Sequence, residues 1–268
     1  CTMGASPIPL AAISPRPRFN LLKLERYMHV GVQFSRGCPF NCEFCNVIEL
    51  NGRRPRLKRP TQVLSELEAL RRLGYRGHVD FVDDNLIGNR REVKSFLSEL
   101  ALWNREHGYP FEFSTEASLN LSDDEELLTL MQRAGFFAIF VGIETPDGDT
   151  LRQTNKKHNA DRDLGASMRR IYQHGIFVNA GFILGFDAEK GDVADAMIQC
   201  IENAAIPVCM VGLLYALPNT QLSRRLLAEG RLHAESDRPS SDMADQCTSG
   251  LNYTTRRSRR ETLEDYQR

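Results

Sequence analysis

From Val30 onward, short apolar runs alternate with longer segments whose apolar residues recur at helical spacing. Strand then helix, repeated, restricts the chain to parallel strands joined by helical crossovers. Six strands are expected: Val30 to Phe34, His78 to Val82, Phe111 to Thr115, Phe137 to Ile143, Phe177 to Leu184 and Val208 to Tyr215. Helix starts are signalled by Thr61, Asn89, Ser122 with Glu125 as a capping box, Asp161, Asp192 and Thr220. Stops are signalled by Gly74, Gly108, Gly135, Gly175 and Gly230. Parallel sheets of this kind bury both faces, and about eight such units close a full barrel. Six units therefore predict an α/β fold that is a partial, open (β/α)6 TIM-like barrel.

The ends differ in character. Residues 1–28 are rich in proline, with Pro7, Pro9, Pro15 and Pro17, and read as a linker or lead-in segment. Residues 29–232 form the expected core. After Gly230 a polar, irregular stretch from Ser236 to Ser241 precedes a segment around Cys247 and a helix from Ser258, so 233–268 reads as the start of a truncated C-terminal domain. A chain that begins at Cys1 and stops at Arg268 inside a helical run reads as a fragment.

Composition sets limits on partners. A net charge of -1 supplies no field to gather nucleic acid, and none is expected as a partner. No apolar run approaches a membrane span and no signal pattern opens the chain, which gives a cytoplasmic reading. Seven cysteines, three of them clustered, do not form a disulfide framework.

The clustered three lie in the segment SRGCPFNCEFC, residues 35–45, directly after the first strand. Cys38, Cys42 and Cys45 fall at i, i+4 and i+7. A 4Fe-4S cluster has one more iron than this loop has thiols, and ordinary electron-transfer clusters cap every iron with a thiolate. Three ligands leave one iron open to a chelating molecule. The alternative is structural zinc, which needs a fourth ligand from Cys1, Cys200, Cys209, Cys247 or a distant histidine. Cys200 and Cys209 read better as small core residues. The basic stretch Arg53 to Arg59 reads as a solvated loop or an anion contact, Lys156 and Lys157 fit either reading, and His158 reads as a surface or hydrogen-bonded histidine.

Other polar groups fall at successive strand ends, where barrel enzymes carry their functional groups. Asp83, Asp84 and Asn85 follow the second strand, Ser114 to Glu116 end the third and Glu144 follows the fourth. Gly181, Gly185 and Asp187 mark the fifth, and Pro218 to Thr220 the sixth. Helix capping is the plainer role for Asp83, Asp84 and Asp187.

The CxxxCxxC spacing with Phe44 before the last cysteine resembles the signature of the radical S-adenosylmethionine (SAM) superfamily. The resemblance implies that Cys38, Cys42 and Cys45 hold a 4Fe-4S cluster whose open iron chelates SAM. An electron from an external donor would then cleave SAM to methionine and a 5'-deoxyadenosyl radical that abstracts hydrogen. It also implies cofactor contacts from Phe44, Asp83, Asp84, Asn85, Glu116 and Glu144. Asp83 to Asn85 stand where the family more usually has Gly-Gly-Glu at the methionyl amine. Gly181 and Gly185 resemble the GxIxG element whose backbone nears the adenine. No residue is assigned to the step after hydrogen abstraction.

Four segments, VQFSRGCP (32–39), VDFVDDNLIG (79–88), FEFSTEA (111–117) and LLYALPNT (213–220), resemble the cobalamin-associated branch that includes the bacterial hopanoid methylases. CTSGLNY (247–253) resembles the start of that group's C-terminal domain. The branch carries a cobalamin-binding domain ahead of its barrel. The Asp-x-His-x-x-Gly motif of that domain does not occur in this chain, so cobalamin is expected in the full-length parent only. The function implied is methylation of an unactivated carbon. Alternatives are a radical rearrangement or cyclisation without methyl transfer, or a structural zinc-binding protein. Lipid, peptide and natural-product substrates all fit, and an open flank favours a bulky one.

Overall fold

A computed structural model describes residues 10–233 and 250–268. Cys1, Pro7, Pro9, the stretch Ser236 to Ser241 and Cys247 lie outside the described residues. Six strands form one sheet in chain order: β1 Val30–Val32, β2 Gly77–Phe81, β3 Phe111–Glu116, β4 Phe136–Glu144, β5 Phe177–Leu184 and β6 Val208–Leu213. Every neighbouring pair is parallel, from Val30 opposite Val79 to Leu184 opposite Leu213. β1 and β6 do not pair with one another, so the sheet stays open.

Helices lie between the strands: α1 Pro60–Arg72, α2 Arg90–Glu106, α3 Glu125–Ala134, α4 Leu164–Gln173 and α5 Val193–Asn203, with α6 Gln221–Ala228 after β6. Their apolar sides, including Leu67, Phe96, Leu128, Met168 and Leu226, join Phe81, Phe113, Val141 and Val178 of the strands in one fully buried core. α7, Arg259–Gln267, closes the described chain and reaches α5 through Arg268, which pairs with Asp192 and Asp195.

Asn89, Asp192 and Thr220 cap their helices as expected, each accepting from a backbone N–H in the first turn. Three other start signals are displaced. α1 opens on Pro60 with Thr61 already inside it, and Gln62 Oε1 accepts the Arg59 N–H at 3.0 Å. Ser122 lies in a 3-10 turn, and Asp124 caps α3. Asp163, not Asp161, caps α4. In each case an equivalent capping group or a proline within a few residues won the position.

The expectation that both sheet faces are buried fails. Among the described residues, helices cover the outer face only. Alternation turns His78, Asp80, Glu112, Ser114, Glu116 and Asn179 to the concave inner face, where none is buried. Val82, Phe137, Val208 and Met210 share that face and are 49%, 38%, 46% and 58% exposed. The inner face is thus polar on β2 and β3 and apolar toward β6. Cys209 is exposed, not a core residue, because among the described residues no further strand pairs beyond β6.

The lead-in packs Leu10 and Phe19 against the core. At the other end residues 250–254 run across the tips of β5 and β6. Leu251 N–H donates to Leu214 O at 2.7 Å, and Tyr253 Oη donates to Gly185 O at 2.6 Å.

Candidate functional site

The chain leaves β1, pairs Ser35–Arg36 against Arg56–Leu57 in a short antiparallel ribbon, and turns at Gly37 into the cysteine loop. Gly37 has φ +104, and a Cβ there would stand 2.8 Å from Gly52 O, so only glycine fits the turn. The residues following β2 hold this turn one after another. Asp83 accepts from the N–H of Phe34 at 2.9 Å and from the Ser35 hydroxyl at 2.6 Å. Asp84 Oδ2 accepts from Gly37 N–H at 2.7 Å and Asn51 Nδ2 at 3.2 Å. Asn85 Nδ2 donates to Cys38 Sγ at 3.8 Å and to Ser118 Oγ at 3.1 Å.

Beyond the turn, Cys38, Cys42 and Cys45 line a cavity of about 170 Å³ at the C-terminal ends of the strands. Phe44, Asp84, Asn85, Glu116 and Glu144 line it as well, so eight of the eleven expected site residues meet there. Burial pushes the Cys42 thiol up to about 12 and raises Cys45 too. Burial, then the charges of Asp80 and Asp84, raises the Glu116 carboxyl.

Asp83, Gly181 and Gly185 do not line the cavity. Asp83 is fully enclosed beneath the loop, and burial pushes it up to about 7 against the donors of Ser35 and Phe34. A Cβ at Gly181 would stand 2.8 Å from Phe140 Cζ, so this glycine makes room for a ring that lines the cavity. A Cβ at Gly185, where φ is +115, would stand 2.5 Å from Leu251 Cδ2. Asp187 is occupied by Arg225 and Arg231. Among the basic residues, Arg53 Nη2 donates to Pro39 O at 3.2 Å, but Lys58 is no solvated loop residue: it is buried 2.7 Å from Glu66.

Two residues of the cavity, Lys156 and His158, were not expected there from the sequence. Lys156 Nζ bonds Glu144 and stands 5.9 Å from the centre of the Phe44 ring. Burial works against its charge, but Glu144 and the cysteines outweigh burial and raise it above the ordinary lysine range. His158 is not a surface histidine. Its ring stacks on Phe40 at 3.6 Å, and burial with the charges of Lys156 and Arg162 pushes it down to about 3, so it is neutral. Glu144 adopts φ +71 where the β4 register shifts, which turns its carboxylate toward Lys156.

The radical SAM superfamily profile matches residues 32–200, more than half of the chain. The chain belongs to the radical SAM superfamily. Two relatives are similar over most of it. An uncharacterized methyltransferase of Synechocystis sp. is 50% identical over 85% of this chain and 42% of its own length. The hopanoid C-2 methylase of Rhodopseudomonas palustris is 42% identical over 84% of this chain and 43% of its own. The chain therefore spans less than half the length of these relatives. Among solved structures, the radical SAM methyltransferase TsrM from Kitasatospora setae, with cobalamin and a 4Fe-4S cluster bound, superposes with a TM-score of 0.69. That match is at 18% identity over 78% of this chain and 41% of that one, and it bears on the fold alone.

The donor set fits the radical SAM cluster. Three thiols line one cavity, and among the described residues no other cysteine lines it: Cys200 is half-buried on α5 and Cys209 exposed on β6. Among the described residues no three His, Cys, Asp or Glu side chains gather closely enough for a single metal ion. Among the described residues no helix is long and apolar enough to cross a membrane.

Proposed function

We propose that the chain is the core of a cobalamin-assisted radical SAM methylase, with Cys38, Cys42 and Cys45 as ligands of a 4Fe-4S cluster and SAM in the cavity before them. The observation that carries this is that three thiols line one cavity together with Asp84, Glu116 and Glu144, with no fourth cysteine lining it among the described residues. Cys38, Cys42 and Cys45 would hold the cluster, which would supply reductive cleavage of SAM to methionine and a hydrogen-abstracting deoxyadenosyl radical, with the electron coming from an external donor.

The chain's own residues prepare the site. Asn85 donates toward the Cys38 sulfur, a contact that tunes a sulfur ligand. Lys156, held by Glu144, sets a positive charge beside Cys42 and Cys45 and offers a partner to the SAM carboxylate. Glu116 and Asp84 offer acceptors to ammonium and hydroxyl groups. Phe44 and Phe140 narrow the cavity and exclude water, which matters because a carbon radical reacts with the nearest hydrogen donor. Asp83, Gly181 and Gly185 act indirectly, Asp83 by holding Ser35 and the glycines by admitting Phe140 and Leu251.

In this reading residues 29–232 are the core, 1–28 a lead-in segment and 233–268 the start of a C-terminal domain. The names of the two methyltransferase relatives support methyl transfer. Cobalamin belongs to the whole protein. The inner face, polar on β2 and β3 and apolar on β6, supports a bulky, amphipathic substrate entering between β1 and β6.

The test supplies SAM with a labelled methyl group to the full-length protein. Label on a product carbon, with both S-adenosylhomocysteine and 5'-deoxyadenosine formed, is the expected result. Deoxyadenosine without S-adenosylhomocysteine over many turnovers would leave rearrangement or cyclisation instead.

A further inference from the structure

The cysteine loop has little regular structure between Gly37 and Asn46, so its shape rests on what packs behind it. Behind it lies α6. Gln221 Nε2 donates to Asn41 Oδ1 at 3.1 Å, and Leu222 N–H donates to Glu43 O at 2.9 Å. The strongest contact is made by a side chain. Arg225 grips the Glu43 carboxylate with two prongs, Nη2 to Oε1 at 2.8 Å and Nε to Oε2 at 3.2 Å. Glu43 is the residue after Cys42.

The same guanidinium continues to β5. Arg225 Nη1 donates to Asp187 Oδ2 at 2.8 Å, three residues beyond the end of that strand. Arg231 holds Asp187 from the other side and ties it to the tail through Nε to Thr254 O at 2.8 Å. Both carboxylates are withdrawn from water, with the Glu43 side chain 11% exposed and that of Asp187 4%. Neither they nor Arg225 line the cavity, so none of the three touches the reacting groups.

We propose that the Glu43–Arg225–Asp187 chain is a positioning element that fixes the Cys42 to Cys45 segment against the end of β5 and so keeps the cluster on its ligands. This rests on the reading that these cysteines hold the cluster. The geometry demands arginine: a planar fork joins two carboxylates at once, whereas an ammonium on a flexible stem cannot reproduce the two-pronged grip. Removing it leaves two enclosed carboxylates without their shared cation, and the loop would move to rehydrate them.

The test uses the cluster-loaded chain and the variants Arg225→Ala, Arg225→Lys and Glu43→Gln. Arg224→Ala is the control, since Arg224 makes an exposed pair with Glu49 from the same helix. Circular dichroism checks folding, a chelator times iron loss, and electron paramagnetic resonance reports the reduced cluster. Arg225→Ala should lose iron about tenfold faster with an altered spectrum, while Arg225→Lys and Glu43→Gln fall between it and the wild type. Arg224→Ala should match the wild type. A folded Arg225→Ala with wild-type iron retention and spectrum overturns the proposal. Should that variant fail to fold, Arg225→Lys and Glu43→Gln decide, and wild-type behaviour in both overturns it. If the wild type itself takes up no cluster, the cluster reading fails, and alkylation of Cys42 in the metal-free chain tests the positioning alone. It should then be several-fold faster in Arg225→Lys than in the wild type, and equal rates overturn it.

Discussion

Asp84 Oδ2 accepts the backbone N–H of Gly37 at 2.7 Å, one residue ahead of Cys38. With Asp83 on Phe34 and Ser35, and Asn85 on Cys38, the end of β2 templates the start of the cysteine loop. Asp84→Ala leaves that donor without an acceptor, which should cost about 1–2 kcal/mol and lower the iron retained after reconstitution. Asp84→Asn keeps an oxygen and should retain most of it. Iron and sulfide analysis of both variants checks this, and wild-type content in the alanine variant would argue against templating.

The six strands and the meeting of the three cysteines with Phe44, Asp84, Asn85, Glu116 and Glu144 were legible because period and strand-end position are local signals. The open inner face was not. Exposure of Phe137 and Met210 depends on how many strands close the sheet, which no local pattern encodes. Lys156 and His158 were missed because they follow the short helix Gly148–Gln153 after β4, and only tertiary packing brings them beside Glu144 and Phe40. The roles of Gly181 and Gly185 were hidden for the same reason, since Phe140 and Leu251 approach from elsewhere in the chain.

Thiol reactivity should follow burial in the metal-free chain. Cys209 is exposed, whereas Cys42 is buried with its thiol pushed up to about 12. At mildly alkaline pH, Cys209 should alkylate at least about tenfold faster than Cys42, because the thiolate is the nucleophile. Peptide mass spectrometry over time reads the order. A faster Cys42 would contradict the packing of the loop.

Lys58 and Glu66 form a buried pair at 2.7 Å. Lys58→Met alone strands a carboxylate that burial already raises, and should cost about 3–5 kcal/mol. Lys58→Met with Glu66→Leu should recover most of the loss, since the charge that lacks a partner is then gone. Chemical denaturation of the two variants checks this, and equal losses would show that the pair is not enclosed.

Glu189 accepts from the N–H groups of Gly185 and Phe186, and burial pushes its carboxyl up to about 7. A carboxyl raised on folding stabilises fully below its unfolded pKa near 4.5, and that stability is lost as pH rises through about 7. Glu189→Gln keeps the accepting oxygen and does not titrate. Its stability relative to wild type should therefore rise between pH 5 and 8, by on the order of 2 kcal/mol. A difference that stays flat across that range in urea denaturation would show that Glu189 is ionised throughout.

The most direct measurement is electron paramagnetic resonance of the anaerobically reconstituted, reduced chain with and without SAM, alongside iron and sulfide analysis. About four irons and four sulfides per chain are predicted, with a spectrum that changes when SAM is added because one iron has no protein ligand. Alanine at Cys38, Cys42 or Cys45 should abolish both the signal and its response. Stoichiometric zinc without sulfide, or a cluster whose spectrum ignores SAM, would contradict the account.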